Sequence, residues 1–213
     1  MKIYLVRHGE TYANKQKTIQ GQSASLLTDK GRKQAELAGE YLRGIPFDMA
    51  LASDLSRDRE TAKIIMKYHQ DISIEFEKRL RERNFGIFEG GSPERYFDYI
   101  RKYFEKNPNA TFFQVPTPKG ETLTAAQKRI LAFLEDTWQR YHKKTILMVT
   151  HGALLRLLIM YIKEMPEEMY YDENIKLENG SVTVLTYEGK RKITIEALNY
   201  IKHLDGLSLS DGL

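Results

Sequence analysis

The sequence predicts an α/β sandwich on a mainly parallel sheet, and two patterns carry that prediction. Short runs of wholly apolar residues alternate along the chain with longer stretches whose apolar residues recur at helical spacing. Late in the chain, residues 181–187 and 192–198 alternate on either side of Glu188-Gly189, as a hairpin does, which adds at least one antiparallel strand. No repeat, low-complexity tract or linker-like stretch interrupts the chain, so one domain over residues 1–213 is expected.

Each element follows from its residues. Ile3-Tyr4-Leu5-Val6 is apolar throughout and ends near Gly9, the pattern of a strand buried on both faces. Thr28 is placed to cap a helix that gathers Ala35, Ala38, Tyr41 and Leu42 on one face, and Gly44 and Pro46 stop it. Met49-Ala50-Leu51-Ala52 reads as the next strand, and Leu55, Ala62, Ile65 and Met66 restore helical spacing. Residues 72–76 alternate as a further strand. From Leu123, the positions Ala126, Ile130, Phe133, Leu134, Thr137, Trp138 and Tyr141 hold a helical period over a long stretch. Ile146-Leu147-Met148-Val149 is a second fully apolar strand, followed at once by His151-Gly152 and a helical run over 154–159.

Composition narrows the function classes. With 41% hydrophobic and 29% charged residues and a mean hydropathy of −0.52, the 213 residues suit a globular domain with its own core and no need of covalent staples. Cysteine is absent, which excludes disulfides, thiolate metal sites and cysteine nucleophiles. No signal-peptide-like apolar region precedes Arg7-His8 and no run approaches a membrane span, so a cytoplasmic protein without a membrane partner is expected. The 33 basic residues are interleaved with 29 acidic ones, the pattern of a mixed-charge surface and not of a nucleic-acid footprint.

The informative coincidence lies at two strand ends. Val6-Arg7-His8-Gly9 and Val149-Thr150-His151-Gly152 both place His-Gly at the carboxyl end of an apolar strand, the edge at which open α/β sheets bind ligands. If the strands are neighbours, both imidazoles enter one crevice. Glycine after each histidine allows close approach of a ligand, and the second turn opens a helix whose first N–H groups suit an anion. Arg7 adds a guanidinium fork, and Arg57, in the first turn of the helix after the third strand, reaches the same edge. The expected crevice is histidine plus arginine with no carboxylate cluster beside either histidine: an anion site.

These residues resemble the histidine phosphatase superfamily, in its phosphoglycerate-mutase-like branch (branch 1). The likeness runs through Arg7-His8-Gly9-Glu10-Thr11 with Asn14, Gln20-Gly21, Leu27-Thr28 before Gly31, Ser53-Asp54-Leu55-Ser56-Arg57 with Thr61-Ala62, and Leu80-Arg81-Glu82-Arg83-Asn84-Phe85-Gly86 with Glu89-Gly90. It continues through Gly120-Glu121-Thr122, Thr150-His151-Gly152-Ala153-Leu154-Leu155-Arg156 and Asn179-Gly180-Ser181. The resemblance implies a three-layer α/β/α sandwich whose mainly parallel sheet contains an antiparallel edge strand. It implies His8 as the nucleophile that becomes phosphohistidine, with Arg7, Arg57 and His151 around the phosphoryl group and Glu82 as proton donor. Asn14, Gln20, Gly21, Gly152 and the Ala153 backbone would line the pocket. Two departures stand out. Ala24-Ser25-Leu26-Leu27-Thr28 replaces the family's frequent Asp-x-Pro-Leu-Thr, and Asp58 follows Arg57 where alanine is common, a change expected at the rim.

The chemistry suits those groups. Phosphoryl transfer calls for positioning and charge stabilisation, and permanently charged arginines provide both. His8 must attack as neutral imidazole, which two nearby guanidiniums favour, while His151 is better used as a charged donor. Glu82 would need its ordinary value of about 4.3 raised to donate near neutrality, by burial or by the phosphate's charge; without the resemblance, a surface ion pair with Arg81 or Arg83 is the favoured reading. Zinc on His8, His151 and Glu82 is opposed by the arginines, so no metal and no cofactor is expected.

Residues 91–119 match the family least, are rich in Tyr and Phe, and are expected to cover the active site; Pro93 opens a helix there with Phe97, Ile100 and Phe104 on one face. The segment lacks the adjacent arginine pair and longer insertion of phosphoglycerate mutases. The expected activity is therefore metal-independent hydrolysis of small phosphate monoesters, of histidine acid-phosphatase type. A cofactor-dependent mutase and a non-catalytic phospho-ligand-binding protein are the alternatives. The sequence assigns neither a physiological substrate nor an oligomeric state.

Overall fold

A computed structural model describes residues 1–171, 175–189 and 192–207; the last residues of the expected domain, 208–213, lie outside them. The chain runs β1 (Lys2–Arg7), α1 (Tyr12–Lys15), α2 (Asp29–Leu42), β2 (Met49–Ala52), α3 (Ser56–Ile65), β3 (Ile74–Phe76), α4 (Pro93–Lys106), α5 (Leu123–Tyr141), β4 (Thr145–Thr150), α6 (Gly152–Ile162), β5 (Val182–Tyr187) and β6 (Ile193–Tyr200). The strands form one sheet in the order β3-β2-β4-β1-β5-β6. The β3–β2, β2–β4 and β4–β1 pairs are parallel, and antiparallel pairing is confined to the β1–β5 and β5–β6 side.

The apolar strands divide their side chains between two helical layers. Ile3, Leu5, Ile146, Met148 and Leu185 face Ile130, Leu134, Leu154 and Leu158 of α5 and α6. Val6, Ala52, Leu147, Val149 and Val184 face Ala38, Leu42, Ala62 and Ile65 of α2 and α3. That two-sided burial is why residues 146–149 carry no polar side chain. Helix α2 begins at the expected cap, where Thr28 Oγ1 accepts from Gly31 N–H, and Thr122 caps α5 in the same way, its Oγ1 accepting from Ala125 N–H.

Two details differ from the sequence expectation. The strand expected over 72–76 pairs only over Ile74–Phe76, because Ile72 N–H closes a turn onto His69 O. In α4 the buried positions are Tyr96 and Ile100, not a Phe97 face; Phe97 is 45% exposed and rests against Tyr171 at 5.2 Å between ring centroids.

Register positions the site. Val6 pairs with Val149, and Val149 with Ala52, so His8, His151 and Ser53 leave the sheet at one level on one edge. β4 stands between β1 and β2, which makes the two histidine strands direct neighbours.

Candidate active site

His8 and His151 meet at that edge, 5.2 Å between ring centroids and 3% or less exposed. His8 Nδ1 lies 2.8 Å from Gly9 O, and a carbonyl only accepts, so Nδ1 carries the proton. Nε2 is left with its lone pair, which accepts from Arg57 Nε–H at 3.2 Å. Burial, then Arg57, then Arg7 hold His8 well below the ordinary imidazole value, so the ring is neutral near neutral pH.

Arg57, fully buried, bridges the histidines. Nη2 donates to His151 Nδ1 at 3.0 Å and to Gly21 O at 2.7 Å, and Nη1 donates to Ser23 O at 3.1 Å. Gly21 therefore enters the site through its carbonyl. Because Arg57 can only donate, His151 Nδ1 is the acceptor and Nε2 bears hydrogen, directed at Ser53 Oγ at 3.0 Å. Burial and four surrounding cationic or imidazole groups, Arg57 first, hold His151 well below its ordinary value. The free site thus contains a neutral His151.

Arg7 sends Nη1 to Leu177 O, while its buried Nε has no hydrogen-bond partner among the described residues. The α6 start presses on it: a Cβ on Gly152 would lie 3.1 Å from Arg7 Nε. Gly9 is needed for a different approach, since a Cβ there would come within 2.2 Å of Gly31 O. Both glycines serve contacts within the protein, where room for a ligand was expected.

Glu82 occupies the anion position at the α6 N-terminus. Its Oε2 accepts from Ala153 N–H at 3.0 Å, and Oε1 accepts from Leu154 N–H at 3.1 Å and Arg83 N–H at 2.8 Å. The Ala153 backbone group expected to meet substrate is thus engaged by Glu82. Neither neighbouring arginine pairs with it: Arg81 grips Asp54 at 2.5 and 2.6 Å, and Arg83 Nη2 donates to Thr117 Oγ1 at 2.7 Å. Asn14 caps α1 through Thr11, and Asn179 Nδ2 links its Oδ1 at 3.4 Å to His8 O at 2.9 Å. Gln20 is buried, its Oε1 has no partner among the described residues, and no hydrogen bond joins its side chain to His8 or His151.

The structure corrects one expectation outright. A carboxylate does stand beside a histidine: Asp58 Oδ2 lies 3.1 Å from His151 Nε2, and Asp58 is fully buried, not at the rim. The sequence reading noted Asp58 and Ser53 only as motif positions. Their signal was periodic: Asp58 lies one residue beyond Arg57 in a helix whose other wall is β2 and β4.

The model of the histidine phosphatase superfamily (branch 1) matches residues 3–200. A relative from Salmonella arizonae, named probable phosphoglycerate mutase GpmB, is 30% identical over 99% of this chain and 98% of its own. Bacillus stearothermophilus YhfR superposes with a TM-score of 0.84 at 28% identity, over 96% of this chain and 99% of that one. Phosphoserine phosphatase from Entamoeba histolytica, solved with 3-phosphoglyceric acid, gives 0.79 at 27% identity over 95% and 98%. The match over nearly the whole chain, with both histidines and both arginines at one sheet edge, means that this protein belongs to the histidine phosphatase superfamily, branch 1, whose members transfer phosphoryl groups.

Proposed function

We propose that the protein is a metal-independent phosphatase that hydrolyses small phosphate monoesters through a phosphohistidine on His8. The observation that carries this reading is the His8 ring: neutral, with the Nδ1–H held by Gly9 O and the Nε2 lone pair turned into a cage of arginines. In the first half-reaction His8 Nε2 forms a bond to phosphorus as the ester P–O bond breaks, and Glu82 gives the departing alkoxide a proton. Three backbone N–H groups receive the carboxylate left behind. Arg7, Arg57 and His151 compensate charge on the phosphoryl oxygens, the part metal ions play elsewhere. In the second half-reaction water attacks phosphorus, Glu82 takes its proton, and the P–N bond breaks to free His8 and inorganic phosphate.

Asn14, Gln20, Gly21, Gly152 and Ala153 would shape the pocket, Gly21 by holding Arg57 and Ala153 by holding Glu82. Residues 91–119 would cover it within one domain over 1–213 and set the choice of ester. Support for that role comes from Arg83, which follows Glu82 and has its guanidinium 5.3 Å from the Tyr96 ring of α4. The same reading assigns the enzyme to the cytoplasm, where phosphorylated metabolites are held by their charge.

A mutase is the second reading, favoured by the name of the Salmonella relative. Against it stands the absence of an adjacent arginine pair over 91–119. The two are separated by supplying 3-phosphoglycerate with a trace of 2,3-bisphosphoglycerate and following 2-phosphoglycerate and free phosphate together. Phosphate release is expected to dominate, and isomerisation that outpaces it would overturn the phosphatase reading.

A further inference from the structure

Asp58 is fully buried in the first turn of α3, and neither carboxyl oxygen accepts a hydrogen bond among the described residues. A carboxylate so placed is costly unless charge offsets it. Positive charge and a donor lie close: Oδ2 is 3.9 Å from the Arg57 guanidinium and 3.1 Å from His151 Nε2–H, and the α3 N-terminus presents its positive end. The hydrolysis described above has no use for this group. We propose that Asp58 is a positioning residue for phosphoryl transfer: behind His151, it keeps Nδ1 turned to the phosphoryl site and supplies the countercharge that lets the ring carry a second proton once an anion is bound. This rests on the phosphohistidine reading of the same site.

Every wall of the site contributes to the balance. Arg57 comes from α3, Asp54 and Ser53 from the turn after β2, Arg7 and His8 from the end of β1, Glu82 from the loop after β3, and Arg129 from α5. In the free protein the cations prevail. Burial first and then Arg57 hold His151 well below its ordinary value, so the ring keeps one proton, and burial raises Asp58 well above the ordinary carboxyl value, which favours its protonated form. The pair then carries two protons, one on the carboxyl and one on Nε2.

A phosphate dianion reverses the preference by drawing the Arg57 fork away from Nδ1 and adding negative charge in front of the ring. The Asp58 O–H bond is lost and an Nδ1–H bond is gained, with exchange through water carrying the proton. Nδ1–H then donates to a phosphoryl oxygen and Nε2–H faces the Asp58 carboxylate. The pair still holds two protons, now both on His151.

The test compares wild type with Asp58→Asn and Asp58→Ala, using inorganic phosphate and then vanadate as probes. Imidazole NMR follows the His151 titration in the phosphate-bound proteins, and the pH profile of kcat is recorded with nitrophenyl phosphate. Removing the countercharge lowers the pH at which the bound ring loses its second proton. Both the His151 midpoint and the alkaline limb of kcat are expected to fall by about one pH unit or more, which reduces kcat about tenfold on that limb and leaves the acid side within about twofold. A packing role would change thermal stability and leave both midpoints in place, and that result in both variants overturns the proposal. The NMR midpoint needs no turnover. A wild type without phosphatase activity or phosphohistidine would therefore remove the functional reading while the midpoint still decides the part played by Asp58.

Discussion

At the sheet edge, His8, Arg57 and His151 are 3% exposed or less, and each is fixed by backbone carbonyls or by one another. Across the covering segment the contacts are of another kind. Tyr96 and Ile100 anchor α4 on Phe88, Ile19 and Val115, while Phe97 stays 45% exposed and touches Tyr171 edge to face. Directional hydrogen bonds to backbone atoms admit one arrangement, whereas ring-on-ring packing tolerates many. The difference separates a fixed site from an adaptable neighbour: His8, Arg57 and His151 are held by main-chain carbonyls or by one another, whereas residues 91–119 are held by side-chain packing that can exchange without disturbing them.

That contrast can be broken by substitution. His8→Ala removes Nε2, the proposed nucleophile, and steady-state turnover should fall by at least about 10⁴-fold. Residual activity near wild type would show that another group attacks. Glu82→Gln keeps the side-chain shape and, through its one amide oxygen, can still accept from Leu154 and Arg83 N–H, but it turns a donor toward Ala153 N–H and lacks the carboxylic proton. Alkyl phosphate hydrolysis should fall about 10²-fold and nitrophenyl phosphate hydrolysis much less, because nitrophenolate leaves without protonation. Equal losses on both esters would make Glu82 a cap for α6.

The covering segment should respond differently. Phe97→Ala is expected to change kcat/KM for aromatic esters by about 2- to 10-fold, with kcat for the smallest alkyl phosphate unchanged. A uniform loss across all esters would move α4 into the machinery of the site. Exhaustive chelation should alter neither quantity, and rescue of a chelated enzyme by zinc or magnesium would mean that the arginines do not suffice.

The site was more legible in the sequence than the segment above it, for physical reasons. Residues 3–6 and 146–149 are apolar because both faces of each strand are covered, so each strand and the His-Gly at its end are legible in the pattern, while the adjacency that brings His8 and His151 together comes from the sheet order. Thr28 announced its helix because a cap is a local contact. Asp58 was misjudged because an acid in a first helical turn reads as a solvated charge; its burial comes from α3 lying against β2 and β4. Glu82 between two arginines suggested an ion pair, yet Asp54 and Thr117, both distant in sequence, claim those arginines. In α4, Ile100 and Phe104 do pack on one cluster, while Phe97 meets Tyr171, which lies far from it in the chain and of which periodicity carries no trace.

The central claim is that a phosphoryl group rests covalently on His8 during turnover. Its most direct test is to mix the enzyme with radiolabelled phosphate ester, quench within a turnover, and map the label by peptide. Label on the His8 peptide that survives base, is lost in acid and is missing from His8→Ala is the predicted result. A labelled enzyme whose phosphate is acid-stable or lies on another residue, or full turnover by His8→Ala, would contradict it.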